Sequence, residues 1–276
     1  MQPQAIRTLA RGAVLLALAL AVSACLLMPG RFTSDLDIRK DGTFKFSYVG
    51  EIHMLALSKM AAGSKTDTFK PTPCYGDDGM EERPCTKDET AQQKKDWDES
   101  QKLSAESRKR EAESMKAVLG GIDPSNPKAA EELAQRLRRQ AGWRKVVYKG
   151  DGLFDVDFAI QGRLDHDFIF PTIERFPLAN SFVLIAVRQD GTVRIDAGGF
   201  GPASSGEPYR GMMGALDEDK AEGMPEVDGK FTIRTDGQIL ANNTDEGPQA
   251  DPAGQKLDWA VNLRTPAAPT ALIKLR

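Results

Sequence analysis

IRKDGTFKF, at residues 38–46, predicts a β-hairpin and guides the interpretation of the whole chain. Asp41-Gly42 stands between two runs of alternating or β-branched residues, and a two-residue turn needs positive φ at both central positions, which Asp-Gly adopts readily. The same phrase returns as VRQDGTVRI at 187–195 and as IRTDGQILA at 233–241. We therefore predict three β-hairpins, each turning at an Asp-Gly pair.

Further strands are predicted after the first hairpin. The run WRKVVYKGDGLFDVDFAIQGRL at 143–164 has the same character, with its turn at Gly150-Asp151-Gly152. KLDWAVNL at 256–263 and ALIKLR at 271–276 are typical of closing strands. These runs bring the predicted sheet close to the end of the chain.

Residues 88–119 predict a first helix, because they are dense in Lys, Glu, Gln, Ser and Ala and carry few apolar side chains. Ala112, Met115 and Leu119 share one face at helical spacing, so we expect the end of this helix to pack while its start is mostly exposed. Gly120 and Gly121 end the helix.

A second helix is predicted after Asn126, which is a typical N-cap, with Pro127 at the first helical position. Gly142 ends it. Its apolar face is expected to contain Ala130, Leu133, Leu137 and Ala141. The two helices together form a predicted insertion at residues 88–142, packed on one sheet or extending from it.

These patterns predict an α+β fold: an antiparallel sheet built from Asp-Gly hairpins, the two-helix insertion, and long loops at 201–229 and 242–254. The alternation of Phe44, Phe46 and Tyr48 with polar residues predicts that one face of the sheet is apolar and the other faces water.

The N-terminus has the organisation of a cleaved signal peptide, residues 1–24. Arg7 and Arg11 precede an apolar core of ten residues at 13–22, and small side chains follow at Ser23 and Ala24. A membrane-spanning helix needs about 20 apolar residues, and the run MPGR at 28–31 ends this segment too soon.

Val22-Ser23-Ala24-Cys25 resembles the lipobox of bacterial lipoproteins. The resemblance implies that Cys25 becomes the first mature residue and carries a diacylglyceryl thioether and an N-acyl group such as palmitate. In that family Asp after the cysteine favours the inner membrane, so Leu26 implies outer-membrane anchoring on the periplasmic side. The alternative is an ordinary signal peptide with a chance cysteine.

The lipobox resemblance also sets the expected domain boundaries. It places a lipidated cysteine and a short tether at residues 25–31 and a periplasmic α+β domain at residues 32–276. Removal of residues 1–24 takes away two arginines and no acid, which leaves 35 basic and 40 acidic residues and a net charge of −5. Since no basic stripe is present, nothing indicates nucleic-acid binding.

Cys74 and Cys85 are an even pair once Cys25 is assigned to the lipid, and they enclose residues 74–85. In an exported protein such a pair predicts a disulfide. The spacing does not fit a paired-cysteine zinc site, and the chain has only two histidines, His53 and His166.

The ends of the chain resemble the LppM-like domain of bacterial lipoproteins. The resemblance rests on FTSDLDIRKDGTFKFSYVGEI at residues 32–52 and on KLDWAVNL at 256–263. It implies an α+β envelope domain without established catalytic residues, so no site residue is carried over. The insertion at residues 60–142 departs from the compact form of that pattern.

Asp165-His166-Asp167 is the triplet with the most evident chemical potential, since a carboxylate beside an imidazole can order a general base or bind a metal. In a strand, however, neighbouring side chains point to opposite faces, which separates His166 from both carboxylates. We therefore assign no catalytic, cofactor-binding or metal-binding residue, and interpret His53 as structural.

The sequence thus favours a non-catalytic outer-membrane lipoprotein that binds an envelope protein or lipid, or acts as a scaffold. The polar helix at 88–119 is the best candidate for a partner surface, and the alternative is an exposed helix with a purely structural role. Two alternatives stay open. One is an envelope hydrolase that uses Asp155, Asp157, Asp165 and Asp167. The other is a carrier that encloses a hydrophobic ligand between the sheet and the helices.

Overall fold

The computed structural model describes residues 27–58, 68–75, 82–123, 126, 128–174, 180–202 and 226–275. These residues form strands β1 (Leu27–Ile38), β2 (Thr43–Met54), β3 (Cys74–Tyr75), β4 (Glu82–Arg83), β5 (Trp143–Gly150), β6 (Leu153–Arg163), β7 (Phe168–Phe170), β8 (Val183–Val187), β9 (Thr192–Asp196), β10 (Asp228–Thr235), β11 (Gln238–Asn242), β12 (Gln249–Asp251), β13 (Gly254–Asn262) and β14 (Thr270–Lys274). Helices α1 (Lys87–Val118) and α2 (Ala129–Leu137) lie between β4 and β5, and short 3-10 helices span Leu55–Leu57 and Gly198–Phe200. The predicted α+β class is confirmed.

The longer strands form two sheets, where the sequence predicted one antiparallel sheet. Sheet 1 has the order β12-β13-β10-β1-β2-β6-β5, and sheet 2 has the order β11-β14-β9-β8-β7. Neighbouring strands are antiparallel except for β1 and β10, which run parallel from Arg31 beside Asp228 to Ile38 beside Thr235. The purely antiparallel prediction was therefore wrong. A parallel pair between strands so distant in the chain leaves no local sequence pattern.

Two of the three Asp-Gly phrases turn between antiparallel neighbours, at Asp41-Gly42 between β1 and β2 and at Asp190-Gly191 between β8 and β9. In each turn only the glycine has positive φ, 83° at Gly42 and 78° at Gly191. The aspartate carboxylate accepts the N–H of the threonine two residues later, which favours a three-residue loop with a glycine bulge. The predicted two-residue geometry occurs at Asp151-Gly152, between β5 and β6, where φ is 50° and 76°.

The third phrase, at 233–241, forms a corner between the sheets, and the hairpin predicted there is absent. β10 already has β1 on one edge and β13 on the other, so it has no free edge for β11. β11 pairs with β14 in sheet 2 instead. Gly237 lies at the corner, where a Cβ would stand 2.9 Å from the Lys274 carbonyl oxygen.

An aromatic cluster fills the space between the two sheets. Phe46 and Tyr48 of β2 are almost fully buried, at 1% and 0% exposure. Their rings lie 5.0 and 5.2 Å from the ring of Phe170 in β7, and Phe200 stacks on Phe32 of β1 at 4.4 Å. The alternation predicted for β2 is confirmed, because its even-numbered residues supply the apolar face.

The two predicted helices are both present, with shifted ends. α2 packs against β5 and buries Ala130, Leu133 and Leu137 as predicted. Ala141, expected on the same face, is exposed, because the helix ends at Leu137. Asn126 contributes its side-chain oxygen to the Lys128 N–H just before the helix begins. Neither helix is long and apolar enough to span a membrane, as far as the described residues extend.

The start of β1 corrects the tether predicted at residues 25–31. β1 begins at Leu27, and Leu27 and Met28 are 1% and 0% exposed. Leu27 is paired with Met54 of β2. Apolar side chains at 27 and 28 therefore belong to the core, and the folded domain begins earlier than residue 32. Cys25 and the signal peptide at 1–24 lie outside the described residues.

Candidate functional site

A long solvated helix is the most distinctive surface feature of the described chain. α1 has 32 residues, which corresponds to a length of about 48 Å. From Lys87 to Lys116, none of its described side chains is buried, and no strand of sheet 1 or sheet 2 packs along it. We call α1 together with residues 68–75 and 82–86 the arm. The exposure predicted for the start of the helix extends over most of its length.

A disulfide joins Cys74 to Cys85 at the start of α1, as the sequence predicted. The side chain of Gln93 bridges this region: its amide nitrogen donates to the Thr72 carbonyl oxygen at 3.2 Å, and its amide oxygen accepts the Thr72 N–H at 3.0 Å. The same nitrogen lies 3.5 Å from the sulfur of Cys74 and 3.7 Å from that of Cys85. The disulfide loop is therefore fastened to the first turns of α1.

A ring contact extends this attachment along the helix. Phe69 lies against Trp97, with 5.9 Å between the ring centroids. The partly exposed positions Glu89, Gln93 and Trp97 recur at four-residue spacing, so they line one side of α1. The segment 68–75 covers this side, and the opposite side is left to solvent.

The N-terminus of α1 is fixed by a capping box that our sequence analysis missed. The Thr86 hydroxyl accepts the Glu89 N–H at 3.3 Å, and the Glu89 carboxylate accepts the Thr86 N–H at 2.8 Å. Arg83 donates twice to the same carboxylate, at 2.6 and 2.9 Å. The Arg83 and Thr86 hydrogen bonds lower the pKa of Glu89 to about 2. The sequence signal was TKDE at 86–89, which has the spacing of a capping box.

The arm exposes both mixed charges and isolated apolar groups. Leu103 is 61% exposed and Tyr75 is 48% exposed, which makes them two of the most exposed large hydrophobic side chains described. Around them, Lys94 lies 3.7 Å from Asp98 one turn later, at the limit of an ion pair. Single exposed apolar side chains are common on protein surfaces, so Leu103 provides a defined position at which to probe the arm for contacts.

A second feature is an open cleft of about 830 Å³ between the end of α2 and strand β7. Its floor is apolar, with Trp143, Phe158 and Phe168 among the lining residues. Its rim is polar and carries both signs of charge, from Arg139, Glu174 and others. The full lining comprises Arg136, Arg139, Gln140, Ala141, Trp143, Phe158, Ile160, His166, Asp167, Phe168, Ile169, Thr172 and Glu174. The volume is in the range of small-ligand sites.

The core beside this cleft is filled. The apolar space bounded by Leu27, Met54, Leu133 and their neighbours measures about 10 Å³. That is at the lower limit of the volume that holds one water molecule. The closed ligand chamber that a carrier protein needs is therefore not found at this point of the described core.

Three of the four aspartates considered for a hydrolase make separate structural contacts, and the fourth, Asp157, lies in β6. Asp155 is paired with Lys145 across β5 and β6 at 2.7 Å. Asp167 accepts the Val187 N–H at 2.8 Å, and Asp165 contacts the neighbouring imidazole ring of His166. Of the four, only Asp167 lines the cleft. The triplet at 165–167 lies in the connection between β6 and β7 and not in a strand. The prediction that strand geometry separates His166 from both carboxylates was therefore wrong, because Asp165 contacts the His166 ring.

His53 lies in β2 and is partly buried. Burial lowers the pKa of His53, and the negative charge of Glu51 partly offsets that effect. Glu51 itself binds Arg31 through both oxygens, at 2.6 and 3.2 Å. No group of three His, Cys, Asp or Glu side chains suited to a metal ion occurs in the described part of the chain.

Comparison with known proteins gives a structural match to a mycobacterial domain. The NMR structure of the folded domain of the LppM protein from Mycobacterium tuberculosis is 11% identical and covers 90% of each chain, with a TM-score of 0.30. At this TM-score the superposition does not establish a shared fold. No family model and no curated protein matches the chain.

Proposed function

We propose that this protein is a lipid-anchored component of the bacterial cell envelope with a non-catalytic binding or scaffold role. In this proposal a diacylglyceryl group on Cys25 holds the domain on the periplasmic side of the outer membrane. The lipobox-like sequence at 22–25 supports the anchor. Several acyl chains on one cysteine exceed the two signals that stable anchoring needs.

The arm is the surface that carries the binding role. The observation behind this assignment is that α1 is a solvated helix whose described side chains from Lys87 to Lys116 are all at least partly exposed. Most helices gain their stability by packing an apolar face. α1 depends instead on the disulfide, the ring contact at Trp97 and the capping box at its start. These local contacts keep a long surface folded and free to bind an envelope protein.

A photo-crosslinking side chain at Leu103 tests the assignment in intact cells. Leu103 is 61% exposed on the arm, and the matched control is Leu240, which is 46% exposed on β11. We expect a discrete crosslinked product at Leu103 and none at Leu240. Leu103→Asp should reduce co-purification of the same product, while Leu240→Asp should leave it unchanged. Equal products at both positions, or none at Leu103, would contradict a binding role for the arm.

The open cleft favours a second candidate function, the binding of an amphipathic ligand with a hydrophobic part. Its apolar floor next to a charged rim is the observation that supports this function. A fluorescent fatty-acid probe should bind the intact protein, and Ile160→Glu in the cleft floor should weaken binding at least about tenfold, since it places a charge on the apolar surface. Unchanged affinity in the variant would remove the cleft as the binding site.

A further inference from the structure

We propose that the Leu27 end of sheet 1 rests directly on the bilayer, at the depth of the phospholipid headgroups. This inference depends on the proposed lipidation of Cys25 and adds an orientation to it. The partner is the membrane surface itself. Very few residues separate the modified cysteine from the folded domain, and this short connection fixes where the domain lies.

Leu27 is a fixed part of the fold. Its side chain is 1% exposed, and it is paired with Met54 of β2. The side chain of Asn180 holds its backbone from both sides: the amide oxygen accepts the Leu27 N–H at 3.0 Å, and the amide nitrogen donates to the Leu27 carbonyl oxygen at 2.8 Å. The position of residue 27 therefore reports the position of the whole domain.

Only Leu26 lies between Cys25 and Leu27. Two successive peptide units extend at most about 7 Å. The headgroup layer of one leaflet is about 5 to 8 Å thick, judged from a bilayer of about 40 to 45 Å with a hydrocarbon core of about 30 Å. With its acyl chains in the hydrocarbon, Cys25 therefore places Leu27 at or within the headgroup layer. The domain is thus held against the membrane surface and cannot move away from it.

The strand register identifies which surface this constraint brings to the bilayer. Met28 is paired with His53, His53 with Leu153, and Leu153 with Gly150. The end of β5, including the exposed side chain of Lys149, is therefore level with the start of β1. The opposite end of β1 is the turn that contains Lys40, also exposed.

The same geometry keeps the opposite end away from the membrane. From Leu27 to Ile38 the strand has 12 residues, which corresponds to about 36 Å. The mature chain has a net charge of −5 by the count above, and a negative domain is repelled by the anionic lipids of a bacterial membrane. The short tether imposes contact at the anchored end, the repulsion disfavours any further contact, and the length of the strand places the Lys40 turn farther away.

Two matched cysteine variants test the proposal, Lys149→Cys near the anchored end and Lys40→Cys at the far end. Both replace an exposed lysine. The proposed diacylglyceryl thioether occupies the sulfur of Cys25, and Cys74 is bonded to Cys85, so the introduced thiol is the one available for an environment-sensitive fluorophore. The lipidated full chain is reconstituted into vesicles of phosphatidylethanolamine and phosphatidylglycerol that contain a headgroup nitroxide quencher. Mass spectrometry first establishes the acyl groups on Cys25.

We expect quenching at Lys149→Cys to be at least about twofold stronger than at Lys40→Cys, because the strand length of about 36 Å exceeds the headgroup layer. Insertion of ten Gly and Ser residues between Leu26 and Leu27 adds a chain with a mean span of about 17 Å. This insertion should reduce quenching at Lys149→Cys to the level of the far-end probe.

Each contrary result has a distinct meaning. If Cys25 is acylated but quenching is equal at the two probes, or is unaffected by the inserted spacer, the close apposition is wrong and the anchor remains. If Cys25 carries no acyl group, the proposed anchor and the apposition both fail.

Discussion

Removal of the disulfide should destabilise the arm and leave the two sheets intact. The bond between Cys74 and Cys85 closes a loop with a sequence separation of 11. The loss of chain entropy in the unfolded arm predicts that the bond stabilises it by about 3 kcal/mol. The loop contacts Gln93 and neighbouring positions of α1. Loss of the disulfide should therefore destabilise the first turns of α1.

Hydrogen exchange followed by mass spectrometry measures this directly in a double variant that combines Cys74→Ser with Cys85→Ser. A loss of about 3 kcal/mol corresponds to opening that is about 150-fold more frequent, or to complete loss of protection if the arm is less stable than that. Amides of α1 near Gln93 should therefore exchange faster, while those of β2 should be unchanged. The reasoning is refuted if β2 loses protection to the same extent, or if α1 keeps its protection.

A matched variant separates the bond from the packing around it. Gln93→Ala keeps the disulfide and removes the two hydrogen bonds to Thr72. These bonds are exposed, so we expect an effect of about 1 kcal/mol or less, confined to the same amides. An effect as large as that of the double cysteine variant would show that the hydrogen bonds, and not the loop closure, hold the arm.

Three further predictions concern sheet 1. The hydroxyl of Tyr48 donates to the Glu51 carbonyl oxygen at 2.7 Å, so Tyr48→Phe should lower the free energy of unfolding in urea by about 1 kcal/mol. Burial also raises the pKa of Tyr48 well above its usual value. The stability of the wild type should therefore fall as pH rises above about 10, and that of the variant should fall less. Burial raises the pKa of Asp258, but hydrogen bonds from Thr232 and two lysines outweigh it and lower the pKa to about 2. The carboxylate therefore stabilises the fold above about pH 4 and loses this effect as pH falls toward 2. In urea titrations over this pH range, Asp258→Asn should reduce the acid dependence of the free energy of unfolding by about 1 kcal/mol. Gly50→Ala would place a Cβ 2.2 Å from a backbone carbonyl oxygen of β1, at a residue whose φ is 147°. Thermal denaturation should therefore show that the free energy of unfolding falls by about 3 kcal/mol or more. An unchanged melting temperature would contradict the close approach.

Local patterns predicted the elements of this fold well where a strand or helix carries its own signal. The alternation of Phe44, Phe46 and Tyr48 indicated which face of β2 is buried, and the spacing of Leu133 and Leu137 indicated the packed face of α2. Both depend on side-chain periodicity, which is present in the sequence itself.

Long-range pairing could not be predicted in the same way. IRTDGQILA at 233–241 has the same local signal as the two phrases that do turn between neighbours, yet it leads from sheet 1 to sheet 2. The difference comes from β1 and β13, which occupy both edges of β10. A strand's free edges are set by the rest of the chain, so a turn signal does not specify which strand is paired next.

The candidate sites also divide into local features, which the sequence predicted, and long-range features, which it did not. The exposed α1 and the disulfide were predicted from composition and cysteine count, because these are local properties. The cleft brings together Arg139 of the segment after α2, Phe158 of β6 and Phe168 of β7. These residues meet only after two sheets and a helix have packed, so no sequence spacing indicated them.

The mass and location of the mature protein test the central claim, a lipid anchor at Cys25, most directly. Intact mass spectrometry of protein extracted from the outer-membrane fraction should show a chain that begins at Cys25 with diacylglyceryl and N-acyl groups, and Cys25→Ser should leave that fraction. A chain that begins at another residue without acyl groups, or a Cys25→Ser variant that remains in the membrane fraction, would contradict the claim.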